Sequence, residues 1–285
     1  VTALEACCLG IVCVYVALRV RGEAKPGLLA ARLGALAVAG FLGEVSCVRL
    51  YGLYAYTSDG PWTLWLDVVP LVVVLTWPVV IHSAWELARA IAPTHAVLLG
   101  AALVLADASL IEPVAVAAKL WKWTAPGPFS VPAVGVLGWA LFAALAMAVF
   151  ERSEDPRYTW GGGILLPPLL VHPLVLAAWW GALRHLPPVP EAAALGVLGL
   201  ACLGAAVVVW RHRVCVPRAK VWLRAPGAAF FFGLMILRVS DPLLIAWTLL
   251  FALPYAVLLL CAEQPPPLEG ADNGHGSALG AQDSG

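Results

Sequence analysis

Charge is scarce in this 285-residue chain. Only 12% of its residues are Asp, Glu, Lys or Arg, and 17 basic residues balance 17 acidic ones to a formal net charge of zero. Soluble domains carry about 25% charged residues, so this chain has too few polar side chains to coat a water-facing globule. Without a basic field there is nothing to hold a phosphate backbone, which excludes nucleic acid as a partner. Seven cysteines lie scattered, mostly in apolar runs, with no CxxC pair. That excludes a disulfide framework and a thiolate zinc centre. The lysines are Lys25, Lys119, Lys122 and Lys220, none of them in the middle of a late apolar segment, so a retinal Schiff base is excluded. No HxxxH or HxxHH cluster is present for a di-iron centre, and no DDxxD pair for magnesium and diphosphate. Walker and GxSxG sequences are also missing. The residues therefore predict no metal and no cofactor.

What fills the chain instead is hydrophobicity, at 62% of residues and a mean hydropathy of +0.89. A spanning helix needs about 20 mostly apolar residues. Such runs occur near 3–20, 27–50, 66–90, 94–118, 131–150, 162–184 and 192–210. The region 227–261 is too long for one helix and is interrupted at Arg238-Val-Ser-Asp241-Pro242. It reads as a short or re-entrant segment followed by a span at about 243–261. The expected fold is an all-α polytopic transmembrane helical bundle of about eight segments, seven at fewest and nine at most. The first run carries Glu5 where a signal peptide has basic residues, and it reads as a retained helix. Residues 1–262 form the membrane domain, and the Pro- and Gly-rich residues 263–285 read as a disordered tail.

If the spans alternate, Arg19, Arg21, Lys25, Arg32, Arg89, Arg152, Arg157 and the basic residues from Arg211 to Arg224 share one side. Arg49, Lys119, Lys122 and Arg184 fall on the other. The positive-inside rule makes the first side cytoplasmic and puts the N-terminus outside. A bacterial inner membrane is the expected location.

Ionisable groups inside a membrane are costly, so each is a functional candidate. Glu44 lies in the second span, Asp107 and Glu112 in the fourth, His82 and Glu86 in the third, and His172 in the sixth. His82 and Glu86, four residues apart on one helix face, are expected to bond each other. His172 precedes Pro173 and reads as a helix-packing hydrogen bond. Asp107 and Glu112 are about 140° apart around a helix, so each needs a partner from elsewhere. Pro113 unpairs the Ser109 carbonyl and opens polar backbone beside Glu112. Glu44, Asp107 and Glu112 are therefore the functional candidates.

Two aromatic loops follow the acid-bearing spans. One runs Arg49-Leu-Tyr-Gly-Leu-Tyr-Ala-Tyr56 and on to Pro61-Trp62, and the other runs Leu120-Trp-Lys-Trp123-Thr-Ala-Pro-Gly-Pro-Phe129. An interfacial aromatic belt accounts for Trp62, Trp65, Trp179 and Trp180. It does not explain why both loops follow acids. Aromatic faces stabilise cations, and a carboxylic acid kept neutral by an apolar site donates a proton. Together these suit protonation of an alkene.

Taken in order, these motifs resemble the carotenoid biosynthesis membrane family that contains the carotenoid 1′,2′-hydratases, including bisanhydrobacterioruberin hydratase. The matching pieces are Glu44, Tyr51-Gly52-Leu-Tyr54-Ala-Tyr56-Thr57, Gly60-Pro61, Val69-Pro70, Thr76-Trp77, Asp107, Glu112-Pro113, Trp121-Lys-Trp123, Val131-Pro132 and Gly138-Trp139. The resemblance is dense over residues 41–140. The chain departs from it at Leu50-Tyr51, where the pattern has Pro-Phe, at Gly135-Val136, where it has Asn-Phe, and at Glu112, where it more usually has Asp. The resemblance implies hydration of an acyclic polyene that enters from the lipid. One acid, Asp107 or Glu112, would protonate the terminal C=C to a tertiary cation, and Glu44 would orient the water that captures it. Tyr51, Tyr54, Tyr56, Trp121, Trp123 and Trp139 would form a wall that tolerates the cation. Partners are then the lipid-soluble substrate, membrane lipids, and a second copy or other enzymes of the pathway.

Three alternatives stay open at this point. Capture of the cation by an internal alkene would make the protein a cyclase, and the absent Asn favours that. A lipid or carotenoid carrier or a transporter would use the broken helices at Glu112-Pro113 and Asp241-Pro242. A metal hydrolase would gather His82, His172 and acids.

Overall fold

In the computed structural model, residues 1–58, 60–214 and 216–261 are described. The tail expected at 263–285 lies outside them. Among the described residues, nine helical segments are long and apolar enough to cross a membrane. The first six follow the expected spans: α1 (Ala3–Arg21), α2 (Pro26–Ser46), α3 (Leu71–Ile91), α4 (Ala96–Ala117), α5 (Ala133–Arg152) and α6 (Pro156–Gly181). α7 (Glu191–Arg211) comes next. The long final region divides where the sequence is interrupted, but its first part is longer than expected. α8 (Arg218–Trp222) and α9 (Ala225–Arg238) together make one segment, and α10 (Pro242–Leu250) and α11 (Ala252–Cys261) make the next. Asp241 caps α10 by accepting from the Leu243 N–H, so the polar break starts a new helix.

Local chemistry sets the other boundaries. Thr2 and Glu5 form a reciprocal capping box at the start of α1. The buried Glu5 carboxylate also accepts from the Thr63 and Leu64 N–H groups and the Thr63 hydroxyl, tying α1 to the loop before α3. Pro113 frees the Ser109 carbonyl as expected, and the Trp247 indole of α10 donates to it at 2.7 Å. α2 ends in a π-helical turn, Cys47–Tyr51, closed by Gly52 at φ +59°, a left-handed conformation that glycine adopts without a Cβ penalty.

α2 packs on α3 and α6, and α4 and α5 close the same bundle around Leu36, Trp77, Trp85, Phe142, Met147 and Phe150. α7 packs with α10 and α11 to one side. The two aromatic loops pair with each other. β1 (Tyr54–Tyr56) runs antiparallel to β4 (Trp121–Trp123), with Tyr54 opposite Trp123 and Tyr56 opposite Trp121. β2 (Trp65–Leu66) and β3 (Val69–Pro70) form a small hairpin before α3. That hairpin takes up the first residues of the span expected at 66–90.

Candidate functional site

A two-residue period puts Tyr54, Tyr56, Trp121 and Trp123 on one face of the β1–β4 sheet, and Ala55 and Lys122 on the other. Hydrogen bonds from Thr57 N–H to the Leu120 carbonyl and from Thr124 N–H to the Leu53 carbonyl flank the ladder. This phase makes the two aromatic pairs non-hydrogen-bonded ones, whose side chains stand closest. Ring centroids are 4.8 Å apart for Tyr54–Trp123 and 5.9 Å for Tyr56–Trp121. Trp62, expected in an interfacial belt, is instead buried and donates to the Leu120 carbonyl, bracing β4 from behind. Trp180 remains exposed beneath Arg184, as a belt residue would be.

The aromatic face lands on two buried carboxyls. Glu44 of α2 accepts from the Tyr54 hydroxyl, from the Tyr56 hydroxyl at 2.8 Å and from the Trp77 indole at 3.0 Å. Glu112 of α4 accepts from the Trp121 and Trp123 indoles at 2.7 and 2.8 Å, both on Oε2. Trp139 of α5 also reaches the Glu112 carboxyl and packs on Trp77 with centroids 4.6 Å apart. Burial, with Glu44 close by, pushes the Tyr54 and Tyr56 phenols well above their ordinary range, so both remain O–H donors.

Both glutamates line a cavity of about 480 Å³, walled chiefly by aliphatic and aromatic side chains. Asp107 lines it too, a little over a helical turn from Glu112, but in different company. It forms an ion pair with Arg224, at the joint of α8 and α9, and Arg224 also donates to Tyr255 at 3.1 Å and Ser83 at 2.9 Å. The cavity therefore has an aromatic-clad acidic end and an ion-paired end.

Tyr51 lines the cavity as well, but its hydroxyl meets His172 Nδ1 at 2.8 Å rather than an acid. His172 Nε2 meets Ser46 at 2.8 Å, which is the helix-packing bond expected of it. The expected His82–Glu86 bond is absent. His82 Nδ1 meets the Tyr15 hydroxyl at 2.8 Å, while Glu86 pairs with Lys220 and Arg19, because cations from α1 and α8 compete for it. The two histidines are thus held on separate networks.

Gly135, standing where the resemblance has Asn, has a spatial reason. A Cβ there would lie 2.5 Å from the Trp123 ring, so the ring that serves Glu112 occupies that side chain's space.

Trp77, Ser83, Arg224 and Tyr255 were not among the expected site residues. Arg224 read as a topology-setting charge, and only its position one turn after Lys220, before an apolar run, hinted at burial. Ser83 and Tyr255 carry no comparable signal.

The family signature described as carotenoid biosynthesis protein matches residues 5–203. The chain belongs to that family. Its matched stretch holds both glutamates, Asp107, the β1–β4 sheet and Trp139, whereas Arg224 and Tyr255 lie beyond it. Neither a curated protein nor a solved structure matches the chain. Family membership and nine apolar helices agree with a membrane protein of carotenoid biosynthesis.

Proposed function

We propose that this protein is a carotenoid hydratase, adding water across a terminal C=C of an acyclic polyene drawn from the lipid. The observation that carries this reading is the single sheet face that sets four aromatic side chains onto two buried glutamates in one apolar cavity. In this scheme the two glutamates work as an acid and a base, one carrying a proton and the other not. A carboxylate offers about four lone-pair sites. Three on Glu44 are filled by donors, on both oxygens, which suits the anion and leaves a place for one water. On Glu112 the Trp121 and Trp123 indoles both bond Oε2, and in this scheme Oε1 carries the proton.

Glu112 then protonates the less substituted alkene carbon, and the π electrons form that C–H bond. The faces of Trp121, Trp123, Trp139 and Tyr54 screen the tertiary cation. Water, hydrogen-bonded to Glu44, forms the C–O bond and gives its proton to Glu44. Proton return from Glu44 to Glu112 resets the pair, and alkene plus water equals alcohol. Asp107, held by Arg224, is a charge anchor in this scheme rather than the donor. The acids would face the outer half of a bacterial inner membrane, with membrane lipids, pathway enzymes or a second copy as neighbours.

The Trp123 ring packed where the hydratase pattern has an amide favours one second reading, capture of the cation by an internal alkene. The test is Glu112→Gln and Glu44→Gln in cells that supply an acyclic carotenoid. Each is expected to lower turnover roughly 100- to 10,000-fold, the span of general acid–base catalysis, with membrane insertion unchanged. Full activity in both variants would remove the two acids from the mechanism.

A further inference from the structure

We propose that the Asp107–Arg224–Ser83–Tyr255 cluster holds ordered water and is the port through which water reaches the Glu44–Glu112 chamber. Arg224 carries five N–H donors, and its hydrogen bonds within the protein use three: Tyr255 on Nε, Ser83 on Nη1 and Asp107 on Nη2. One Nη1 and one Nη2 hydrogen remain without a partner among the described residues. Asp107 accepts on Oδ2 and retains Oδ1 as an acceptor. The Tyr255 hydroxyl accepts from Arg224 and still has its own proton to place. All four residues line the cavity, whose wall between them and the glutamates is otherwise mostly apolar. Donors and acceptors left open beside apolar surface cost free energy unless something pairs with them. A neutral molecule that both donates and accepts, with several polar partners within reach, is water.

The port has an outside. Lys220 and Arg224 lie one turn apart on the α8 side, and Glu86 and Ser83 lie one turn apart on α3. They pair as two rungs, Lys220–Glu86 and Arg224–Ser83. The outer rung is partly exposed, 28% for the Lys220 side chain and 13% for Glu86. The inner rung lies about 5.4 Å, one helical turn, from the outer one. From Asp107 to Glu112 the rise along α4 is about 7.5 Å, which roughly two or three waters at hydrogen-bond spacing would span. Each hydration consumes one water, and apolar walls cannot replace it.

The role as a supply route rests on the hydratase reading, but the presence of water at the cluster does not. The experiment compares the wild-type protein with Asp107→Leu/Arg224→Met. The pair is replaced together because removing one partner would leave a buried charge alone. A density map that resolves water is expected to show it on the Arg224 guanidinium in the wild type and not in the double variant. In carotenoid-producing cells, the ratio of alcohol to unhydrated isomer is expected to fall about tenfold, the size of one lost hydrogen bond to the captured water. A dry cluster in the wild type, or an unchanged ratio in the variant, overturns the port. Water at the cluster with no alcohol from the wild type would instead overturn the hydratase reading and leave the water site standing.

Discussion

Glu44 and Glu112 have the same chemistry and different company, and under the proposed hydration that difference separates a water-orienting base from a proton donor. Phenols and an indole engage both oxygens of Glu44, while the Trp121 and Trp123 bonds to Glu112 share a single oxygen. The second contact depends on Gly135, because any side chain there meets the Trp123 ring. Gly135→Asn is expected to lower stability by about 1–3 kcal/mol, the usual cost of overpacking. It should also reduce turnover by moving the Trp123 indole off Glu112. Thermal unfolding and product yield together check this, and a variant with wild-type values of both would show that the ring is not held as described. At this scale the acids were legible in the sequence, because a charge in an apolar run stands out on energetic grounds alone. Their partners were only partly so. Trp77 hides among the residues of an apolar helix, and the His82–Glu86 spacing suggested a bond that cations from other helices take over.

The β1–β4 sheet is the element on which the site depends. Its three-residue strands are too short to stand alone, so their register is held by the two carboxyls that the aromatic face meets. Ala55 and Lys122 occupy a hydrogen-bonded pair position. Ala55→Pro removes a ladder donor without touching any side chain of the site. It is expected to lower activity as far as loss of an acid does, while the helices remain in place. Activity with helical circular dichroism tests this, and full activity would show that the aromatic residues find Glu44 and Glu112 without the ladder. The sequence showed two aromatic loops after two acidic spans. It could not show that they pair, because the pairing joins residues more than 60 positions apart. The last membrane region was underestimated for a related reason. Arg218 to Arg224 reads as loop charge by composition, yet Arg218–Trp222 is helical and Lys220 and Arg224 form ion pairs inside the bundle.

Across the whole molecule, a cavity with two polar ends is lined by helices of the family-matched stretch and by helices that follow it. α8, α9 and α11 supply Arg224 and Tyr255, and through Arg224 they fix Asp107. Asp107→Asn alone leaves a guanidinium whose side chain is only 9% exposed without its counter-charge. That change is expected to cost about 3–5 kcal/mol, whereas joint replacement of the pair by apolar residues is expected to be near neutral. Thermal unfolding of the two variants separates a structural ion pair from two independent polar residues.

The central claim is that the two glutamates add water to a polyene end. Its most direct test is product mass from cells that make an acyclic carotenoid and express this chain, grown with and without oxygen-18 water. The account predicts a product heavier by one water that carries the label, formed by the wild type and not by Glu112→Gln. A product of unchanged mass with altered retention, or no new product from the wild type, would contradict it.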